Sequence, residues 1–108
     1  MNNTPPIDIS PDHWEIVRAI LEKHVPQYEV WAFGSRAKRT ARKYSDLDLA
    51  VITDTPLPWK VLADLKEDFS ESDLPFKVDV ADWAATGEKF KKLIENMKVV
   101  LTKSQQLP

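Results

Sequence analysis

The 108-residue chain contains no cysteine. That excludes a disulfide framework and any thiolate metal site. It also lacks an apolar run approaching the roughly 18 residues that a membrane-spanning helix needs. The opening Met1-Asn2-Asn3-Thr4-Pro5-Pro6 has neither the charged nor the apolar block of a signal peptide. Internal repeats and low-complexity tracts are missing too. The formal net charge is only −2, from 15 Lys and Arg against 17 Asp and Glu, so general coating of nucleic acid is not expected. What is present suits a packed globular protein: 43% hydrophobic residues with 30% charged. A chain of this length buries about 60–68% of its unfolded surface on folding. The expectation is one cytoplasmic domain over 1–108, with 1–9 a loose lead-in and 102–108 a tail.

The charges are unevenly spread. Arg36, Lys38, Arg39, Arg42 and Lys43 crowd the middle of the chain, and Asp64, Glu67, Asp68, Glu71 and Asp73 crowd a later segment. Ser10-Pro11-Asp12 reads as a helix start, with a hydroxyl cap, proline at the first helical position and an acid in the first turn. Trp14, Val17, Ile20 and Leu21 continue at helical spacing, and the helix should stop near His24, ahead of Val25-Pro26. His13 and His24 are expected on the exposed side, without a metal role, since no second His or Cys stands at ligand spacing. Tyr28–Phe33 and Ser45–Ile52 read as strands, with a short helix over Arg36–Thr40 between them. A helix is expected over Trp59–Ser70 and a third strand over Phe76–Ala81. Thr86 is positioned to cap a last helix with a Phe90, Leu93, Ile94 and Met97 stripe, and Val99–Leu101 can add a final strand. Ser104–Pro108 is read as part of the tail. The fold class is α/β: a small mixed β-sheet with helices packed against it.

The chemistry gathers at one stretch. Trp31-Ala32-Phe33 runs into Gly34-Ser35-Arg36, and a strand opens with Ser45-Asp46-Leu47-Asp48. Side chains two apart on a strand project on the same side, so Asp46 and Asp48 stand together. Paired carboxylates repel unless a cation lies between them. Gly34 removes a side chain where backbone must approach a phosphate, and Ser35 adds a hydroxyl donor. Arg36 can fork onto a phosphate oxygen. Asp79 is a further oddity, an acid between Val78 and Val80. If its strand neighbours the one carrying Asp48, it joins the same surface. The dull alternatives are strand-end acids in water, an ordinary tight turn and a solvated loop cation. The four tryptophans, Trp14, Trp31, Trp59 and Trp83, are read as core or partner-facing.

Gly-Ser, ten intervening residues, then Asp-x-Asp, in the context GSRA…ARKYSDLDLAV, resembles the signature of the polymerase-beta-type nucleotidyltransferase superfamily. The shortness of the chain makes it most similar to the minimal nucleotidyltransferases (MNT), antitoxins of HEPN toxins. The resemblance covers roughly residues 28–100 and implies a polymerase-beta-like fold. It implies two Mg²⁺ ions held by Asp46 and Asp48, with Asp79 on the catalytic one. It implies Gly34, Ser35 and Arg36 as nucleotide-binding residues, and ATP or another NTP as donor. A HEPN toxin tyrosine is the implied acceptor, with no membrane partner and no nucleic acid. At Arg39, relatives commonly carry glycine, which bears on the turn geometry. Two other readings stand beside the enzyme: a non-catalytic module that masks its toxin, and transfer to a small molecule or an RNA end.

Overall fold

The computed structural model describes residues 4–103. Helix α1 (Pro11–His24) begins where Ser10 Oγ accepts from His13 N at 3.2 Å, and Pro11 sits where no helical N–H is needed. Its Val17, Ile20 and Leu21 are buried. Strand β1 (Glu29–Phe33), strand β2 (Leu47–Ile52), helix α2 (Trp59–Glu71) and strand β3 (Val78–Asp82) follow. Helix α3 (Glu88–Met97) and strand β4 (Val99–Thr102) complete the described chain. The sheet order is β3-β2-β1-β4. β1 runs antiparallel to both β2 and β4, while β2 and β3 are parallel, joined through α2.

The period-two pattern sorts the sheet into two faces. Val30, Leu47, Leu49 and Val51 are fully buried and meet α1 and α2 in the larger core. Their alternate neighbours, Trp31, Phe33 and Ala50, line the other face with Ile94 of α3. A nearly fully apolar β2 follows from covering on both faces. Within it, Asp48 remains half-buried on the α3 face.

Beyond shifts of one or two residues at element ends, which leave Asp46 just ahead of β2, five details differ from the sequence expectation. Residues 4–9 are anchored: Ile7 is fully buried, and Asp8 N donates to Arg36 O at 2.8 Å. Arg36–Thr40 forms turns only, held by Lys38 N to Gly34 O and Thr40 N to Ser35 O. Arg39 at φ +59° bends the chain out of right-handed helix. Its guanidinium helps hold that geometry by donating to Pro5 O at 3.0 Å. Thr86 does not cap α3, whose cap is Gly87. Its hydroxyl donates to Asp82 O, closing a short 3-10 helix over Trp83–Ala85. Both histidines are half-buried: His13 packs edge-on to Phe76, and His24 Nε2 lies 2.8 Å from Asp68 Oδ2, tying α1 to α2. Thr102 belongs to β4, and the rest of the expected tail beyond Lys103 lies outside the described residues. Among the tryptophans Trp31 is buried, Trp14 and Trp83 are half-buried, and Trp59 is 81% exposed.

Candidate active site

The starts of β2 and β3 lie side by side, and their register pairs Asp48 with Asp79. Directly paired residues project from the same face, so both carboxylates stand on the α3 side of the sheet. Asp46 lies two residues before Asp48, just ahead of the strand, and is exposed. The structure therefore brings the three predicted carboxylates to one end of the sheet. Burial first, then the charges of Asp79 and Asp46, push the Asp48 carboxyl above its usual value. Lys77 Nζ stands 3.7 Å from Asp79 Oδ1 as partial compensation. Lys77 was not picked out from the sequence, although its i, i+2 spacing from Asp79 on one strand would have signalled it.

On the β1 side, Gly34 closes the strand at φ +79°, a conformation that disfavours any side chain. A Cβ there would land on Asp48 Oδ2, with Asp48 Cγ only 3.3 Å away. Gly34 thus lets the β1 turn and the Asp48 carboxylate meet. Ser35 is half-buried, and its carbonyl rather than its hydroxyl ties the loop, accepting from Thr40 N at 2.9 Å.

Arg36 does not fit the phosphate-fork role expected of its side chain. It is only 5% exposed. Its Nε donates to Ser45 O and one terminal nitrogen to Asp8 O, both at 2.9 Å. The other terminal nitrogen reaches Lys43 O at 3.2 Å, and the guanidinium lies 3.9 Å over the Phe76 ring. A guanidinium carries five donors, and here each of its three nitrogens donates to a carbonyl of the lead-in or the basic loop. By holding Ser45 O, Arg36 sets the backbone that delivers Asp46.

Among the described residues, no three His, Cys, Asp or Glu side chains are gathered closely enough to hold a metal ion. The donor set is nonetheless that of a hard cation, all carboxylate oxygen. A divalent ion there would offset both the burial and the repulsion that raise Asp48. Beyond the acids, a groove of about 570 Å³ opens along the β3 edge toward α2, with Lys66, Phe69, Phe76 and Asp79 in its walls. Among the described residues no helix is long and apolar enough to cross a membrane.

Comparison with known proteins places the fold in a family. The polymerase beta nucleotidyltransferase domain matches residues 15–106. Proteins of that kind typically work with a divalent metal. A probable protein adenylyltransferase, MntA, of Haemophilus influenzae is 48% identical over 106 residues, spanning 98% of this chain and 93% of that protein. Among solved structures, a toxin–antitoxin complex with AMP-PNP superposes with a TM-score of 0.71 at 22% identity, covering 86% of this chain and 75% of that one. A tri-AMPylated Shewanella oneidensis HEPN toxin in complex with its MNT antitoxin gives 0.57 at 18% identity, covering 86% and 71%. At such identities the structures establish a shared fold.

Proposed function

The chain belongs to the polymerase beta nucleotidyltransferase family, and from that premise we propose that it is a protein adenylyltransferase acting as antitoxin to a HEPN toxin. It transfers AMP from ATP to a tyrosine hydroxyl of that toxin, in the cytoplasm. The supporting observation is the cross-strand pairing of Asp48 with Asp79 beside Gly34, with Asp46 two residues away. A pure binding module gains nothing from three mutually repelling carboxylates, one of them, Asp48, raised by burial and by the other two.

Asp46 and Asp48 are the residues to hold two Mg²⁺ ions, with Asp79 on one of them. Bound Mg²⁺ supplies charge neutralisation for the attacking and leaving oxygens of an in-line displacement. The rest falls to the chain itself. The Gly34 turn lets backbone N–H groups approach the phosphates, and the Ser35 hydroxyl donates to them. Asp79, on the outer strand and exposed, accepts the proton of the attacking tyrosine hydroxyl. The tyrosine oxygen forms a bond to the α-phosphorus, and the bond from that phosphorus to the bridging oxygen breaks. Pyrophosphate leaves. Most of the acceleration comes from positioning and charge. The Arg36 side chain, occupied as a staple, has no part in binding phosphate.

The test incubates the protein with ATP, Mg²⁺ and a HEPN partner, and reads the partner's intact mass and its neutralisation. Asp79→Ala should keep partner binding while transfer falls by about 10²–10⁴-fold or more. If wild type and variant neutralise equally, and only at equimolar dose, the protein is a masking module instead.

A further inference from the structure

Phe90 is an apolar ring left 45% exposed. It packs edge-to-face on Phe33, with centroids 5.6 Å apart and planes at 84°. Phe33 is the register partner of Asp48 and projects from the same sheet face. Phe90 therefore stands one ring away from the central carboxylate. Leu93, three residues on along α3 and 52% exposed, extends the same apolar surface.

The order across the end of the sheet says which reactant meets that surface. Phe33 and the Gly34-Ser35 turn belong to β1, Asp48 to β2 and Asp79 to β3. With the phosphate chain at the glycine turn and the attacking hydroxyl at Asp79, the reactants enter from opposite sides of the phosphorus, as in-line displacement requires. Phe90 is seated on β1 through Phe33, and so lies on the nucleotide side. The apolar, π-faced part of a nucleoside triphosphate is its base. Aromatic side chains offer bases a stacking surface that needs no hydrogen bonds.

We propose that Phe90 is the stacking platform for the nucleobase of the donor, with Leu93 flanking it. The proposal rests on the reading of this site as a nucleotide site. Neither side chain offers a hydrogen-bond donor or acceptor. The platform therefore favours purines over pyrimidines by stacking area and does not by itself separate adenine from guanine.

The test is calorimetric titration of the full chain with Mg²⁺–ATP and, separately, with Mg²⁺–tripolyphosphate, which has no base. Wild type, Phe90→Ala and Phe90→Trp are compared, with denaturation midpoints as a check on folding. Phe90→Ala should weaken ATP binding by about 5- to 150-fold and leave tripolyphosphate affinity unchanged. Phe90→Trp should restore ATP binding. Equal loss of both ligands in Phe90→Ala would make the ring a prop for the carboxylates and overturn the platform. Unchanged ATP affinity would also overturn it, and a coincident loss of partner binding would assign Phe90 to the acceptor protein. Wild type that binds neither ligand would refute the nucleotidyl-transfer reading itself, a failure distinct from that of Phe90 alone.

Discussion

Gly34→Ala tests the contact on which the site geometry depends. An L-residue in the left-handed region costs about 1–2 kcal/mol, and Gly34 sits there at φ +79°. The added Cβ would also land on Asp48 Oδ2, with Asp48 Cβ at 3.6 Å. The carboxylate must swing aside, at about 0.5–1.5 kcal/mol for leaving its rotamer. Together these give a loss of about 1.5–3.5 kcal/mol. At roughly 4–8 °C per kcal/mol for a domain near this size, the melting point should fall by about 6–28 °C. The two parts separate in a double-mutant cycle. In an Asp48→Ala background the steric part vanishes and the backbone part remains, so a coupling of about 0.5–1.5 kcal/mol is expected. Urea denaturation of wild type, both single variants and the double variant measures it. Strictly additive effects would show that Asp48 does not lie against Gly34, and the close approach of turn and carboxylate would have to be abandoned. Transfer activity under conditions where Gly34→Ala remains folded should still be lost, because Asp48 has been displaced.

Two further outcomes follow from other contacts. The raised Asp48 carboxyl favours its neutral form in the folded state. Its contribution to stability is therefore complete below the ordinary carboxylate value and is lost as pH rises through its own higher one. Asp48→Asn should consequently gain on wild type in chelator as pH rises above about 4, and Mg²⁺–ATP should stabilise wild type more than the variant. A variant that loses ground with rising pH would contradict this. Arg36→Met should lower stability by about 2–3 kcal/mol, since carbonyls of Asp8, Lys43 and Ser45 lose a charged donor. An unchanged denaturation midpoint in urea would show that the staple contributes nothing.

Much of the fold was legible because its signals are local. Helix α1 carries its own cap, its apolar spacing and its proline stop within a few residues. The alternation in β2 and β3 set Asp48 and Asp79 apart from the apolar residues around them, and the Gly-Ser and Asp-x-Asp spacing marked the site. The short helix after Gly34 was misread because Arg39 adopts a left-handed conformation that its residue type does not announce. Thr86 was misread because its hydroxyl finds the Asp82 carbonyl instead of a helix end.

What the sequence by itself determined is the alternation of elements, the two-faced sheet strands and the identity of the acids. Periodicity and turn chemistry act over a few residues, and that is the range a single sequence reveals. The tertiary structure decided the rest. It placed β2 parallel to β3, so that Asp48 faces Asp79. It turned Arg36 from a phosphate ligand into a staple by giving it the carbonyl of Asp8, 28 residues away. It buried Asp82, whose carboxylate accepts from Thr53 Oγ1 at 2.5 Å and from Leu57 N at 2.7 Å. It also set Phe90 against Phe33. Each of these joins residues far apart in the chain, and their partners are chosen by packing and by the need to satisfy buried polar groups, which no local pattern encodes.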